Sequence, residues 1–331
     1  MTPRSLRAVT ALMALAVVVA ACGSTGSSGS TSPSPSGAGA ACPATPEPDS
    51  AKVAAWSGTQ QPSLFPTIID PGGTLACGKN RMVFSFLDAS SVPVADPART
   101  VTVDLFDLGQ STDTPIGTYP ATFIWAIESS VGVYVADVEF PSSGLWGAQF
   151  TTALGDAAPE KIRVPFDVAP TLSVVGVGDP APVTDTPTLA DVGGDVHKIS
   201  TDANPVEAFY QTSVADALAA KKPFVLVFAT PKFCVSQQCG PTLDRIKPIA
   251  AAHPSMTFIN VEPYQLQEVD GQLQPVLTGD PANLTPTAAT DAWRLPSEPW
   301  VFVVDRNGIV TSSLMLIFSD EELTKAIEAV E

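Results

Sequence analysis

The chain has 331 residues, and its 34 acidic side chains outnumber its 17 basic ones, so its formal net charge is −17. Binding to nucleic acid requires a basic surface, so this charge excludes nucleic acid as a partner. The only histidines are His197 and His253, which excludes a histidine-rich metal site. We expect no metal and no other cofactor.

The N-terminal residues have the pattern of an export signal. Arg4 and Arg7 precede an apolar run from Ala8 to Ala21, which is shorter than the ~20 residues of a membrane-spanning helix. Small residues before a cysteine are typical of cleavage after export. The segment resembles a bacterial lipoprotein signal with Val19 to Cys22 as its lipobox. This resemblance implies cleavage before Cys22, a diacylglyceryl group on its sulfur, and a lipid anchor at the cell membrane, facing outside the cytoplasm.

A segment without hydrophobic periodicity follows the signal. Residues Gly23 to Ala41 are glycine, serine, threonine, proline and alanine only. Such a composition is typical of flexible, solvated chain, because it has too few large apolar side chains to form a core. We therefore predict a signal peptide over 1–21 and a flexible tether over 22–52.

The remaining cysteines indicate disulfides. If Cys22 carries lipid, Cys42, Cys77, Cys234 and Cys239 are left, an even number in an oxidising compartment. Of the three possible pairings, proximity in sequence favours Cys234 with Cys239. That leaves Cys42 with Cys77, which would join the start of the folded region to its first strand. The alternative for the second pair is two free buried thiols.

The first folded region shows the alternation of β-strands. Glycine, proline and aspartate interrupt short segments of period two, a pattern typical of an antiparallel β-sandwich. We predict an immunoglobulin-like sandwich over 53–170 and a linker over 171–195. The predicted strands are Arg81 to Asp88, Thr100 to Leu108, Val131 to Val138, Leu145 to Thr151 and Lys161 to Val168.

The second folded region alternates strands with helices. Its first strand is a continuous apolar run, which is typical of a strand buried on both faces. Ser319 with Glu322 forms a capping-box pattern at the start of the last helix. The predicted strands are Phe224 to Ala229, Met256 to Val261, Pro299 to Val304 and Ile309 to Phe318, and the predicted helices begin near Val214, Pro241 and Ser319.

Residues 196–331 resemble the thioredoxin fold in this order of elements. Three features carry the resemblance: the strand that leads into Cys234, the segment from Pro299 to Gly308, and the terminal amphipathic helix. The resemblance implies an α/β domain in which Pro299 follows a cis peptide bond and packs against the active-site cysteines. It also implies thiol–disulfide exchange, with Cys234, Cys239 and Pro299 as the catalytic residues.

The spacing of the two cysteines restricts their placement. Residues five apart on a regular helix have Cα atoms ~8.6 Å apart, beyond the ~4.4–6.8 Å of a disulfide. Pro241 favours the first helical turn, so Cys239 is predicted at the helix entrance and Cys234 in the preceding loop. We favour Cys234 as the nucleophile, because its distance from the strand matches the family. In the alternative, the nucleophile is Cys239, within a tetrad from Cys239 to Thr242.

Two other functions remain open. A redox-silent binding module with a structural disulfide is one, because the strand Phe224 to Ala229 lacks the family's buried acid and Glu298 would disfavour a nearby thiolate. A copper chaperone of the SCO type is the other, although those proteins have three residues between the cysteines and a late histidine. The predicted function is exchange with exported protein thiols or disulfides, or with a membrane redox partner.

Overall fold

The computed structural model describes residues 42–58 and 60–331. The predicted signal peptide, Cys22 and the tether up to residue 41 lie outside these described residues. Within the described ranges, no helix has the length and apolar character needed to cross a membrane. The described residues belong to one compact unit, in which β-structure predominates and forms several sheets.

The N-terminal part of this unit consists of a short helix and antiparallel strands. The elements are α1 (Ser50–Ser57), β1 (Phe65–Ile68), β2 (Gly78–Leu87), β3 (Pro93–Val94), β4 (Arg99–Asp107), β5 (Gly117–Pro120), β6 (Thr122–Ile127), β7 (Val131–Phe140), β8 (Gly144–Leu154) and β9 (Glu160–Val168). The strands β2, β4, β7, β8 and β9 coincide with the segments in which alternation predicts strands. The sequence prediction missed α1, β1, β3, β5 and β6, which are short.

Two antiparallel sheets pack face to face in this part. One has the order β1-β2-β7-β6, with β3 beside β2, and the other has the order β5-β4-β8-β9. Alternate side chains of β2, including Phe84 and Phe86, point into the shared core and are 0% exposed. The ring of Phe84 lies 4.8 Å from that of Phe150 on the opposite sheet. These aromatic contacts between the sheets form the N-terminal core.

A disulfide between Cys42 and Cys77 closes the start of this part, with a Cα–Cα distance of 6.0 Å. Cys77 immediately precedes β2, which is the first strand that the sequence predicted in this part. The amide of Thr45 donates to the carbonyl of Ser143, and the amide of Cys77 donates to that of Ala169. The disulfide therefore joins two segments that are each held to other strands.

The C-terminal part has a sheet of mixed direction with helices on both faces. Its elements are α2 (Val214–Ala219), β10 (Phe224–Phe228), α3 (Cys239–Ala252), β11 (Thr257–Val261), β12 (Leu266–Val269), β13 (Gln272–Pro275), β14 (Leu277–Thr278), β15 (Asn283–Leu284), α4 (Ala288–Trp293), β16 (Trp300–Val304), β17 (Val310–Met315) and α5 (Asp320–Glu328). The sheet order is β11-β10-β16-β17. We call these strands the C-terminal sheet.

Burial on both faces explains the apolar runs of β10 and β16. Val225 and Val227 face the core formed with α3 and α5, whereas Phe224, Leu226 and Phe228 face the core formed with α2 and α4. All five side chains are 0% exposed. A strand covered on both faces has no polar face, so its sequence shows no alternation.

The segment predicted as a linker, 171–195, packs on the C-terminal sheet. The amide of Gly178 donates to the carbonyl of Val310 at 2.8 Å, and the amide of Val310 donates to that of Asp179 at 3.0 Å. Val174 and Val175 join the core beneath α2 and α4. These contacts extend the edge beside β17. The division of the chain into domains at residues 170 and 196 stays a prediction.

Apolar and charged contacts join the N-terminal sheets to the C-terminal part. Ile317 packs in one cluster with Val83 and Val135. Arg81 on β2 forms an ion pair with Glu322 of α5 at 2.7 Å, and it also donates to the carbonyl of Ile317. Burial alone would raise the pKa of Glu322, but the hydrogen bond and charge of Arg81 lower it below its usual value. The ion pair therefore stabilises the contact between the two parts.

Arg81→Met is expected to lower the free energy of unfolding by about 1–3 kcal/mol, because it leaves a partly buried carboxylate unpaired. Since the folded pKa of Glu322 is lowered, the pair's contribution is complete above the unfolded pKa and is lost as pH falls through the folded pKa. Urea unfolding at neutral and acidic pH measures both effects. Lys79→Met, on an exposed position of the same strand, is the control and should change little.

Candidate functional site

The two C-terminal cysteines lie where β10 gives way to α3. Cys239 is the first residue of α3, and Cys234 lies in the preceding segment, residues 229–238, which we call the cysteine loop. A disulfide joins them, with a Cα–Cα distance of 6.0 Å. The loop reverses direction at Gln237, whose φ of 63° is in the left-handed region. One cysteine in the loop and one at the helix start is the placement that the spacing predicts.

The two sulfurs differ in exposure and in hydrogen bonding. Cys239 is 0% exposed, whereas Cys234 is only partly buried. The amide of Cys239, at the N-terminus of α3, donates to Sγ of Cys234 at 3.2 Å. A helix N-terminus stabilises nearby negative charge, so a thiolate on Cys234 has a donor already in place. The geometry thus distinguishes the two sulfurs, and that of Cys234 is the more accessible one.

Glu298 holds the cysteine loop against the C-terminal sheet. The peptide bond between Glu298 and Pro299 is cis, and Glu298 is 2% exposed. Its carboxylate Oε1 accepts the amide of Val235 at 2.7 Å, and its carbonyl accepts the hydroxyl of Ser236 at 2.7 Å. The same hydroxyl lies 3.4 Å from Sγ of Cys234. Pro299, a predicted catalytic residue, therefore follows directly on the residue that binds the loop.

Tyr264 completes the surroundings of Glu298. Its hydroxyl donates to Oε2 of Glu298, and burial together with this hydrogen bond raises the pKa of Tyr264. The two sulfurs and a carboxylate oxygen of Glu298 all lie within 4.8 Å of one another. Sequence reasoning noticed Glu298 but missed Tyr264, which is 34 residues away along the chain. An isolated tyrosine after a strand carries no sequence signal for this contact.

The segment from Glu262 to Asp291, which contains β12 to β15, lies partly against the cysteine loop. Strands β12 and β13 pair antiparallel through a turn at Asp270 and Gly271, which both have positive φ, as a two-residue hairpin of type I′ requires. Nζ of Lys232, in the cysteine loop, donates to the carbonyl of Leu273 on β13 at 3.0 Å. This segment therefore contacts the cysteine loop through β13.

A second buried carboxyl group lies at the same edge of the sheet. Glu262 directly follows β11, the parallel neighbour of β10, and is 7% exposed. Its Oε1 accepts the amide and the hydroxyl of Thr201, whose Oγ1 also accepts the amide of Lys232 at 3.3 Å. Burial raises the pKa of Glu262 to about 7. A chain of hydrogen bonds thus connects this acid to the cysteine loop.

Glu262→Gln is expected to change how stability depends on pH. Because the folded pKa is about 7 and the usual value is 4.5, the folded state binds more protons in between, and stability falls as pH rises through this range. The nearby charge of Asp202 adds to this effect. Glutamine keeps an acceptor for Thr201 and removes the charge. At pH 8 the free energy of unfolding of the variant should therefore exceed that of wild type by up to about 3 kcal/mol.

Urea unfolding of wild type and Glu262→Gln from pH 5 to pH 8 tests this prediction. Glu268→Gln is the matched control, because Glu268 is exposed on β12. A difference between wild type and Glu262→Gln that stays constant with pH would contradict it.

Comparisons with known proteins add little to this geometry. No protein-family model matches the chain, and no curated protein matches it. A structure of MTB dsbF in its mixed oxidized and reduced forms is 22% identical, covers 36% of this chain and 87% of its own, and has a TM-score of 0.27. A crystal structure of a DUF4426 family protein from Pseudomonas aeruginosa PAO1 is 11% identical, covers 34% of this chain and 96% of its own, and has a TM-score of 0.24. Similarity this weak carries no argument about function.

Proposed function

We propose that this protein is a membrane-anchored thiol–disulfide oxidoreductase that acts outside the cytoplasm. Its C-terminal part, 196–331, would be a thioredoxin-like domain, and its N-terminal sheets would form an immunoglobulin-like sandwich that orients it. Cys22 would carry the lipid anchor. The partners would be thiols and disulfides of exported proteins, or a membrane redox protein. The proposal is supported above all by the unequal pair of sulfurs at the start of α3.

The exchange proceeds in two steps. In the reducing direction, the thiolate of Cys234 attacks one sulfur of a partner disulfide, forms a mixed disulfide and releases the other partner sulfur as a thiolate. Cys239 then attacks Sγ of Cys234, closes the intramolecular disulfide and releases the second partner sulfur. Two electrons and two protons pass to the partner. The oxidising direction is the reverse.

Each residue of the site has a role in these steps. The partly buried Cys234 presents its sulfur to the partner, and the amide of Cys239 stabilises negative charge on it. Cys239 is fully buried, so a partner disulfide does not reach it, and it acts only on the mixed disulfide. Val235 and Ser236 hold the loop to Glu298 beside Pro299. Glu298 places a carboxylate near the sulfurs, which disfavours the thiolate and favours the disulfide.

A redox titration of the Cys234–Cys239 pair tests the proposal. The full chain is equilibrated with dithiol buffers of stepped potential, and alkylation of the two cysteines is followed by peptide mass analysis. We expect a midpoint in the range of exchange proteins, about −120 to −270 mV. A midpoint below about −300 mV would instead favour the structural-disulfide alternative, a redox-silent binding module.

A further inference from the structure

The site contains three possible metal ligands besides its redox pair. Sγ of Cys234, Sγ of Cys239 and a carboxylate oxygen of Glu298 lie within 4.8 Å of one another. We infer that the reduced form of this site binds one zinc ion through these three atoms. The inference shares with the proposed function only the requirement that the disulfide can be opened, and it does not depend on exchange with a protein partner.

The surroundings of Glu298 provide a second, independent argument. Glu298 is 2% exposed, yet among the described residues no lysine, arginine or histidine forms an ion pair with it. A buried carboxylate without a cationic partner is costly, and a bound cation would offset that cost. Its present partners, Val235 and Tyr264, are neutral donors.

The remaining bonding capacity of Glu298 permits coordination. A carboxylate has about four lone-pair sites, and the amide of Val235 and the hydroxyl of Tyr264 use two of them. Hydrogen bonds of this kind orient a metal-binding carboxylate and are typical of the outer shell of a metal site. The position of the oxygen is thus set before any ion binds.

The donor set favours zinc over other ions. Two thiolates and one carboxylate match the ligands that Zn²⁺ accepts, whereas Cu(I) selects sulfur and Mg²⁺ or Ca²⁺ select oxygen. With Zn–S bonds of ~2.3 Å in tetrahedral geometry, the two sulfurs would lie ~3.8 Å apart. The Cα–Cα distance of 6.0 Å leaves room for that separation after the disulfide opens. Three protein ligands leave the fourth position to water.

Reduction of the disulfide must precede zinc binding. A phosphine or dithiol reductant supplies two electrons, and two protons from water convert the disulfide to two thiols. Binding of Zn²⁺ to the two thiolates then returns two protons to the solvent. While zinc is bound, each thiolate donates electron density to the ion, which makes its sulfur a weaker nucleophile toward a partner disulfide. The ion would therefore keep the site reduced and prevent exchange.

Zinc binding to the full chain, reduced with a phosphine and freed of metal, tests the inference. Alkylation first counts the thiols opened, and zinc is then titrated in competition with a chromophoric chelator at pH 7. We expect one zinc ion for each reduced chain and none at this site in the oxidised chain. Glu298→Gln should weaken binding about tenfold or more. Glu268→Gln, which removes an exposed carboxylate on β12 outside the ligand set, should leave zinc binding unchanged.

Two results would overturn the inference. In one, the reduced chain binds no zinc, and in the other, the Glu298→Gln variant binds zinc as tightly as wild type. If that variant does not fold, a structure of zinc-loaded wild type decides, and an ion on the two sulfurs without Glu298 would contradict the inference. If the chain exchanges with a small disulfide but binds no zinc, only this inference is contradicted. If the chain binds zinc but does not exchange, only the proposed function is contradicted. If no reductant opens the disulfide, both are contradicted.

Discussion

A Cys239→Ser variant is expected to accumulate mixed disulfides between Cys234 and partner thiols. Cys234 keeps its partial exposure, and the amide of residue 239 still donates to its sulfur. Serine cannot attack the mixed disulfide, so the second step of exchange stops and the intermediate persists. Incubation of the variant with a disulfide-containing peptide, followed by electrophoresis without reductant, measures the trapped species.

The reciprocal variant, Cys234→Ser, is expected to form about tenfold less mixed disulfide than Cys239→Ser, because the remaining cysteine, Cys239, is 0% exposed. A Cys42→Ser/Cys77→Ser double variant is the control, since it removes the other disulfide and leaves the site intact. Trapping through Cys239 at the same rate as through Cys234 would contradict the assignment. It would favour the alternative in which Cys239 is the nucleophile.

Of the two disulfides, the one between Cys42 and Cys77 is expected to contribute more to the free energy of unfolding, which the Cys42→Ser/Cys77→Ser double variant tests. The disulfide spans 35 residues, and removal of a cross-link of that length costs about 4 kcal/mol through the entropy of the unfolded chain. The segment at Cys42 is otherwise held to the N-terminal sheets by backbone hydrogen bonds between Pro43, Thr45 and Ser143. Denaturant unfolding followed by tryptophan fluorescence measures the loss.

A Cys234→Ser/Cys239→Ser double variant is the matched control for that measurement. Its cross-link spans 5 residues, so the same relation predicts a loss of only about 2 kcal/mol. An equal or smaller loss for the Cys42–Cys77 pair would show that this disulfide does not constrain the unfolded chain as described. The comparison removes effects common to any substitution of cysteine by serine.

Hydrophobic periodicity in the sequence was sufficient to predict the longer strands and the last helix. Strands β2, β4, β7, β8 and β9 alternate because one face of each meets the N-terminal core. The runs in β10 and β16 are continuous because both faces are covered. The capping box of Ser319 and Glu322 starts α5 as predicted, since all its hydrogen bonds are local.

The prediction was incomplete where an element is short or its role depends on distant residues. Strands such as β3 and β14, with 2 residues each, cannot show a period. The predicted linker has few periodic hydrophobic residues, yet its backbone pairs with β17 beside Val310. The strand β10 lacks a buried acid, but Glu262 reaches the same edge of the sheet from the end of β11. None of these contacts has a local signal.

Local sequence placed Cys234 in a loop and Cys239 at a helix start. The spacing excludes a bonded pair on one regular helix, and Pro241 favours the first helical turn. The distance from the strand favoured Cys234 as the nucleophile by resemblance, but only the tertiary structure shows that the two sulfurs differ in exposure, since the burial of Cys239 depends on packing against strands and helices far along the chain. Likewise, only folding brings Glu298 to the cysteine loop and Tyr264 to Glu298. The exposure of each sulfur and the contacts of Glu298 are therefore matters of three-dimensional contact, which spacing along a sequence does not encode.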